Sequence, residues 1–374
     1  MYPALTVLHA LENNQAFPDF ALEDLLWVGG EGGMEKELVE RAGFPFVEIP
    51  AAGLHGVGWR AWPGNVMQIL KGLYMAHGIL RDFRPDVVFF TGGYVAGPVA
   101  LAGWSIPSVL YVPDIEPGLA LKSLARFANE ITVTTEASLA HFSPRKRITI
   151  TGYPTRPELS AWTREEARQV FEFQDDLPVL LVFGGSKGAR SLNRALLPKL
   201  PLLLAEMQII HISGHLDWLE VEATQEQLAP TYQKRYRAFP YLHAEMGAAL
   251  RTADLALSRA GASVLGEFPL FGLPAILVPY PYAWRYQKVN AQNLAERDAA
   301  IVVRDEELSE RIMPLVLDLM GNPARRKKMS EAMYELACPY AAQKIAQILV
   351  KVSATDAEKK RLSMENNSLG GLYL

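Results

Sequence analysis

The chain has 374 residues, 49% of them apolar, a net charge of −4 and one cysteine. That length supports two ordinary domains, each with its own core. The slightly acidic balance argues against general nucleic-acid binding, and a lone cysteine leaves no internal disulfide, which fits a reducing compartment. No apolar run approaches the roughly twenty residues that span a bilayer. Met1-Tyr2-Pro3-Ala4-Leu5 lacks the basic-then-apolar order of a secretory signal. A cytoplasmic protein is expected, with contact at a membrane surface left open. Cys338, just before Pro339, reads as a packed core thiol.

In chain order, Tyr2–Leu5 opens a helix that continues through Val7, Leu8 and Leu11. A strand at Leu25–Gly29 precedes a helix at Met34–Ala42. A long helix at Asn65–Phe83 sets Val66, Ile69, Leu70, Leu73 and Leu80 on one side, and Met67, Tyr74, Ile79 and Phe83 elsewhere. Arg60, Lys71, Arg81 and Arg84 flank it. Such a helix normally buries its stripe; the extra apolar residues and basic border also suit anionic lipid. Strands follow at Val87–Phe90, Ser108–Val112 and Ile131–Thr134. Gly152-Tyr153-Pro154-Thr155-Arg156-Pro157 breaks the pattern and reads as a linker. Beyond it come strands Val179–Phe183, Gln208–Ile212, Leu255–Ser258 and Ala275–Val278, with helices at Leu192–Ala205 and Ser263–Phe271. The order predicts two α/β, doubly wound domains with parallel sheets. The expected division is 1–152, 153–338, a final amphipathic helix over 339–352, and a polar tail over 353–374 expected to be disordered.

Two glycine turns carry the chemistry. Gly184-Gly185-Ser186-Lys187-Gly188-Ala189-Arg190 follows an apolar strand and opens a helix, which makes a phosphate cradle. Ser186 is placed to donate to a diphosphate; Lys187 either adds charge there or faces solvent. Arg259-Ala260-Gly261-Ala262-Ser263-Val264-Leu265-Gly266-Glu267 is a second turn, with an acid placed to meet a ribose. Together they predict a nucleotide-diphosphate ligand.

These runs, with Tyr2–Leu5 and Gly92-Gly93-Tyr94-Val95-Ala96-Gly97-Pro98, occur in one order and resemble the MurG-type glycosyltransferases. Met34-Glu35 with Leu38-Val39 and Arg84-Pro85-Asp86-Val87-Val88 add to the likeness, which covers nearly the whole chain up to about residue 350. The resemblance implies two Rossmann-like domains facing across a cleft (GT-B type). It implies inverting transfer of N-acetylglucosamine from UDP-GlcNAc to lipid I at the cytoplasmic face of the membrane, without a cofactor. On the donor side it implies roles for Arg156, Gly185, Ser186, Asn193, Glu267 and Gln287, with uracil held by main chain near Leu242-His243. On the acceptor side it implies Gly93, Tyr94 and Asp114, the last also a candidate base. It also implies that the last helix returns to the N-terminal domain.

The chain departs from the pattern at several points. Tyr153 replaces an asparagine, Tyr286 stands at the first of two glutamine positions, and Tyr111-Val112-Pro113-Asp114 replaces His-Glu-Gln-Asn. Gly118 keeps its place, while Leu121 replaces an asparagine. The family's Gly-Gly-Thr-Gly-Gly-His loop and first strand precede the residues matching Tyr2–Leu5; neither His9 nor His55 fills that histidine's place. The expectation is a start upstream of Met1, or else loss of the base. Three rivals stay open: a transferase using another acceptor, a UDP-sugar binder without catalysis, and a hydrolysing UDP-GlcNAc epimerase.

Overall fold

The computed structural model describes residues 1–12, 21–33, 35–52, 62–173, 176–185, 188–282 and 286–354. It folds as two compact units, one formed by Met1–Pro154 with Tyr340–Leu374, the other by Thr155–Pro339. The chain passes between them inside the Gly/Pro-rich stretch. His55, Arg60, Ser186, Lys187 and the tail after 354 lie outside the described residues.

In the first unit, β1 (Trp27–Gly30) pairs with β2 (Phe46–Ile49). A separate sheet holds β3 (Val88–Phe90), β4 (Ser108–Val112), β5 (Glu130–Val133) and β6 (Ile148–Ile150), in that order and all parallel. Among the described residues, the free edges of β1 and β3 have no strand partner. The opening helix Tyr2–Glu12 buries Leu5, Val7, Leu8 and Leu11 against Val109 and Tyr111 of β4. Residues 341–354 are helical, and Ala342, Ile345, Ala346 and Leu349 complete that same cluster. Three of these recur at i, i+3 and i+7, one face of a helix.

The long helix runs Trp62–Phe83. Gly72 and Ala76 are buried, and Ile69, Leu73, Ile79 and Leu80 are half-buried with them. Gly72 packs so close that an added Cβ would stand 2.2 Å from the Pro50 carbonyl. Val66 and Leu70, expected on the inward stripe, are instead exposed, because the small residues set the contact line. Cys338 is half-exposed rather than in the core.

The second unit holds one six-stranded parallel sheet, with β7 (Val179–Phe183), β8 (Gln208–Ile212), β9 (Tyr236–Phe239), β10 (Leu255–Ser258), β11 (Ala275–Leu277) and β12 (Ala300–Val302). Their spatial order is β12-β11-β10-β7-β8-β9. β7 and β8 are buried almost throughout, so both faces are covered by helices. The single helix expected over Leu192–Ala205 is broken by Pro198 and Pro201. It divides into helices Arg190–Leu196 and Leu200–Glu206, joined by a 3-10 turn.

Candidate active site

The strand order reverses direction between β7 and β10. From β7 the chain moves one way, to β8 and β9; from β10 it moves the other way, to β11 and β12. In such sheets the loops at the carboxyl ends of the two diverging strands, here β7 and β10, flank the usual ligand position. The two glycine turns are those two loops.

The first turn runs from Gly184 into the helix at Arg190. Gly185 and Gly188 have φ of +89° and +78°. At Gly188 a Cβ would lie 2.2 Å from the Ser213 carbonyl oxygen, so this position needs glycine both for its backbone angle and for its contact. Gly188→Ala is expected to deform the turn and cost about 1–3 kcal/mol of stability, as read from the urea midpoint.

Asn193, expected at the donor, points inward. It is 2% exposed, and its Nδ2 donates to the Ser213 carbonyl (2.9 Å) and Asp217 Oδ2 (2.9 Å). Its Oδ1 lies 2.9 Å from His211 Nε2, and His211 Nδ1 lies 2.7 Å from the Tyr236 hydroxyl. Burial holds His211 neutral, its pKa lowered to about 3 against a small opposing pull from Asp217. Asn193 Oδ1 can only accept, so Nε2 carries the ring proton and Nδ1 accepts from Tyr236. Asp217 Oδ1 then accepts from Arg190 at 2.8 Å. The network pins the start of the helix and the strand end beneath the cradle. Asn193 therefore supports that turn from the interior.

The second turn opens into helix Val264–Phe271, which carries Glu267 in its first turn. Glu267 is half-buried, flanked by buried Val264, Leu265 and Phe268. Burial raises its pKa to about 7, against opposing pulls from the Arg156 guanidinium and a hydrogen bond with Ser263. The acid and the arginine named from sequence are thus brought within electrostatic reach. Arg156 stands at the cap of the 3-10 helix Pro157–Ser160, inside the same unit.

A clasp that sequence reading missed ties the two turns together. Arg259, 8% exposed, donates to Asp305 Oδ1 (2.6 Å) and to Ser191 Oγ (2.6 Å), and Ser191 Oγ donates to Asp305 Oδ1 (2.8 Å). Its guanidinium also lies 5.2 Å from the Tyr280 ring centroid. The Tyr280 amide donates to Gln287 Oε1 at 2.8 Å, which leaves the Gln287 NH2 as the end able to meet a ligand. His211 inside a buried strand and Arg259 beside a glycine turn were the sequence signals for both networks.

His243 is exposed after β9, its ring 4.6 Å from that of Tyr241. In the first unit, Gly92 and Gly93 both have positive φ and lead to Tyr94, which is 63% exposed. Tyr111 is fully buried and bonds Thr134 Oγ1 at 2.9 Å, so it is a core residue of β4. Asp114 is half-buried on the loop after β4, near Glu116, which is 3% exposed and paired with Lys122 at 3.3 Å.

Residues 1–133 match the Glycosyltransferase family 28 N-terminal domain, and residues 179–348 match its C-terminal domain. A UDP-N-acetylglucosamine--N-acetylmuramyl-(pentapeptide) pyrophosphoryl-undecaprenol N-acetylglucosamine transferase of Roseiflexus sp. is 38% identical, covering 93% of this chain and 91% of that protein. The transferase of the same name from Desulforamulus reducens is 35% identical, over 94% and 95%. Among solved structures, Acinetobacter baumannii MurG superposes with a TM-score of 0.69 at 27% identity, covering 94% of this chain and 95% of that one. A putative UDP-N-acetylglucosamine 2-epimerase from Listeria monocytogenes shares the fold, with a TM-score of 0.64 at 13% identity over 92% of each chain. With both domains of the family matched in order and relatives of one name aligned along almost its whole length, this chain belongs to glycosyltransferase family 28, in the MurG branch.

Proposed function

We propose that this protein is an inverting glycosyltransferase. It moves N-acetylglucosamine from UDP-GlcNAc to lipid I, the undecaprenyl-diphospho-muramoylpentapeptide, in peptidoglycan synthesis. The observation that carries this reading is the acid at the switch point. Glu267 stands on the helix after the second glycine turn, within reach of Arg156, at the strand pair where the first glycine turn also ends.

In this reading the ribose hydroxyls donate to Glu267. The diphosphate rests on main-chain amides of the turn ending at Gly188, with Arg156 supplying a planar fork of donors. As the sugar–phosphate bond breaks, negative charge collects on the leaving UDP, and donors already held in place stabilise it. The acceptor hydroxyl attacks the opposite face of the anomeric carbon in one displacement and passes its proton to a base. Asp114 is the carboxylate on the acceptor side that we place nearest that role. The Gln287 amide meets hydroxyls of the transferred sugar.

The acceptor is lipid-linked, so the enzyme works at a bilayer surface. No helix among the described residues is long and apolar enough to cross a membrane. Helix Trp62–Phe83 instead exposes Met67 (56%), Leu70 (54%) and Tyr74 (83%) at i, i+3 and i+7, with Lys71 beside them. We assign this face to peripheral contact with the cytoplasmic leaflet. Replacing both Met67 and Tyr74 with serine is expected to weaken binding to phosphatidylglycerol vesicles at least about tenfold in a sedimentation assay. Added salt should weaken the wild type, through its basic border.

The activity is tested by incubating the protein with UDP-GlcNAc and lipid I in detergent or vesicles. Lipid II and UDP should form in equal amounts. UDP release with epimerised free sugar and no need for an acceptor would replace this reading with hydrolytic epimerisation. UDP-GlcNAc binding without turnover would leave a donor-binding homologue.

A further inference from the structure

A cavity of about 420 Å³ opens at the other end of the Thr155–Pro339 sheet, among residues just ahead of β10 and β11. It is lined by Arg164, Arg251, Arg326 and Lys327, with Asp254 its only carboxylate. That carboxylate is fully engaged: Oδ1 accepts from Arg164 at 2.7 Å and Oδ2 from the Val179 amide at 2.8 Å. It neutralises Arg164 and nothing else. Three cations remain in a protein whose net charge is −4.

Each of the three has a different local tie. Arg326 donates to the Leu319 and Met320 carbonyls, a usual task for a cation at a helix C-terminus. Lys327 has only Glu331, 3.9 Å away, with both side chains well exposed. Arg251 is the anomaly. Its guanidinium lies 4.8 Å from the Phe271 ring centroid, which sets its plane, yet its Nε is buried without a hydrogen-bond partner. No ion pair or hydrogen bond engages its other nitrogens among the described residues. With Nε sealed off, the remaining guanidinium nitrogens are the donors open to an anion from outside the chain. Ser330 and the Tyr334 phenol add neutral donors to the same wall. The Tyr334 ring lies over Gly272, about 2.1 Å from where a Cβ would stand.

We propose that this cavity is a second anion site, taking a phosphate-bearing group. The rigid fork of Arg251 suits paired phosphate oxygens, and Lys327 supplies a mobile point charge at the rim. The site lies at the amino ends of the strands, so its ligand is separate from the sugar donor at the carboxyl ends. The inference stands without the transferase reading.

Calorimetry on the full chain, with the donor crevice saturated by UDP, tests it using inorganic pyrophosphate. The expected result is saturable one-to-one binding. Arg251→Leu and Lys327→Ala should each weaken it about tenfold while leaving UDP affinity unchanged. The surface variant Lys327→Ala keeps the test valid if Arg251→Leu misfolds. A parallel arm compares phosphatidylglycerol with phosphatidylcholine vesicles. If the natural source is a lipid headgroup, both variants lose affinity for phosphatidylglycerol alone. Wild type and Lys327→Ala behaving alike towards both pyrophosphate and phosphatidylglycerol, or no binding of either probe, overturns the proposal.

Discussion

Replacing Glu267 with alanine is expected to weaken UDP binding about a hundredfold in a calorimetric titration at pH 8. A carboxylate accepting from two ribose hydroxyls makes two charge-assisted hydrogen bonds, each contributing roughly 1.5 kcal/mol or more. The pH dependence follows from the raised pKa of about 7, caused first by burial. Below that pH the wild-type carboxyl is protonated and accepts without its negative charge, so UDP affinity falls. Stability moves the other way. The unfolded carboxyl has an ordinary pKa of about 4.5. Between that value and about 7 the folded chain holds a proton that the unfolded chain has lost, so the ligand-free protein loses stability as pH rises through this window. Glu267→Gln removes that penalty. It should raise the melting temperature of the ligand-free protein at pH 8 while abolishing the stabilisation that UDP gives the wild type. Differential scanning calorimetry at pH 5 and pH 8 reads both effects. A variant that melts no higher at pH 8 would show that the acid is not strained by its surroundings.

Asn193→Ala is expected to cost about 3–5 kcal/mol of stability, read from the urea midpoint. The change leaves the Ser213 carbonyl, one oxygen of Asp217 and the His211 ring proton unpaired in the interior, each a desolvated polar group. A residue touching the donor would behave differently, with weaker UDP binding on an unchanged urea midpoint. Asn193→Asp should not rescue stability, because it puts a second carboxylate against Asp217. The unfolding measurement therefore separates a supporting amide from a ligand contact.

Much of the fold was legible because central strands are apolar on both faces. Ser108–Val112, Val179–Phe183, Gln208–Ile212 and Leu255–Ser258 read as unbroken buried runs, and the structure has them at those bounds. Among the described residues, the four strands that escaped notice are Phe46–Ile49, Ile148–Ile150, Tyr236–Phe239 and Ala300–Val302, and every one is a sheet edge. An edge strand buries fewer residues, so its apolar run is short and interrupted. Pro198 and Pro201 stand inside the helix expected at Leu192–Ala205 and break it.

The site was legible where type and spacing carry the chemistry. Glycine turns after apolar strands, and an acid early in the following helix, can be read from a single chain. Networks cannot, because their members lie far apart in sequence. Arg259 meets Ser191 and Asp305 across gaps of 68 and 46 residues. Asn193, set on the donor side by the resemblance alone, belongs to such a network. A polar residue one helical turn into a binding helix faces inward or outward according to its partners, and those partners are Ser213, Asp217 and His211.

The most direct measurement is a crystal structure of the protein with UDP-GlcNAc. The account predicts both ribose hydroxyls within hydrogen-bond distance of the Glu267 carboxylate, and the diphosphate on the amides at Gly188–Arg190. Density for the nucleotide elsewhere, or a ribose that Glu267 does not touch, would contradict it.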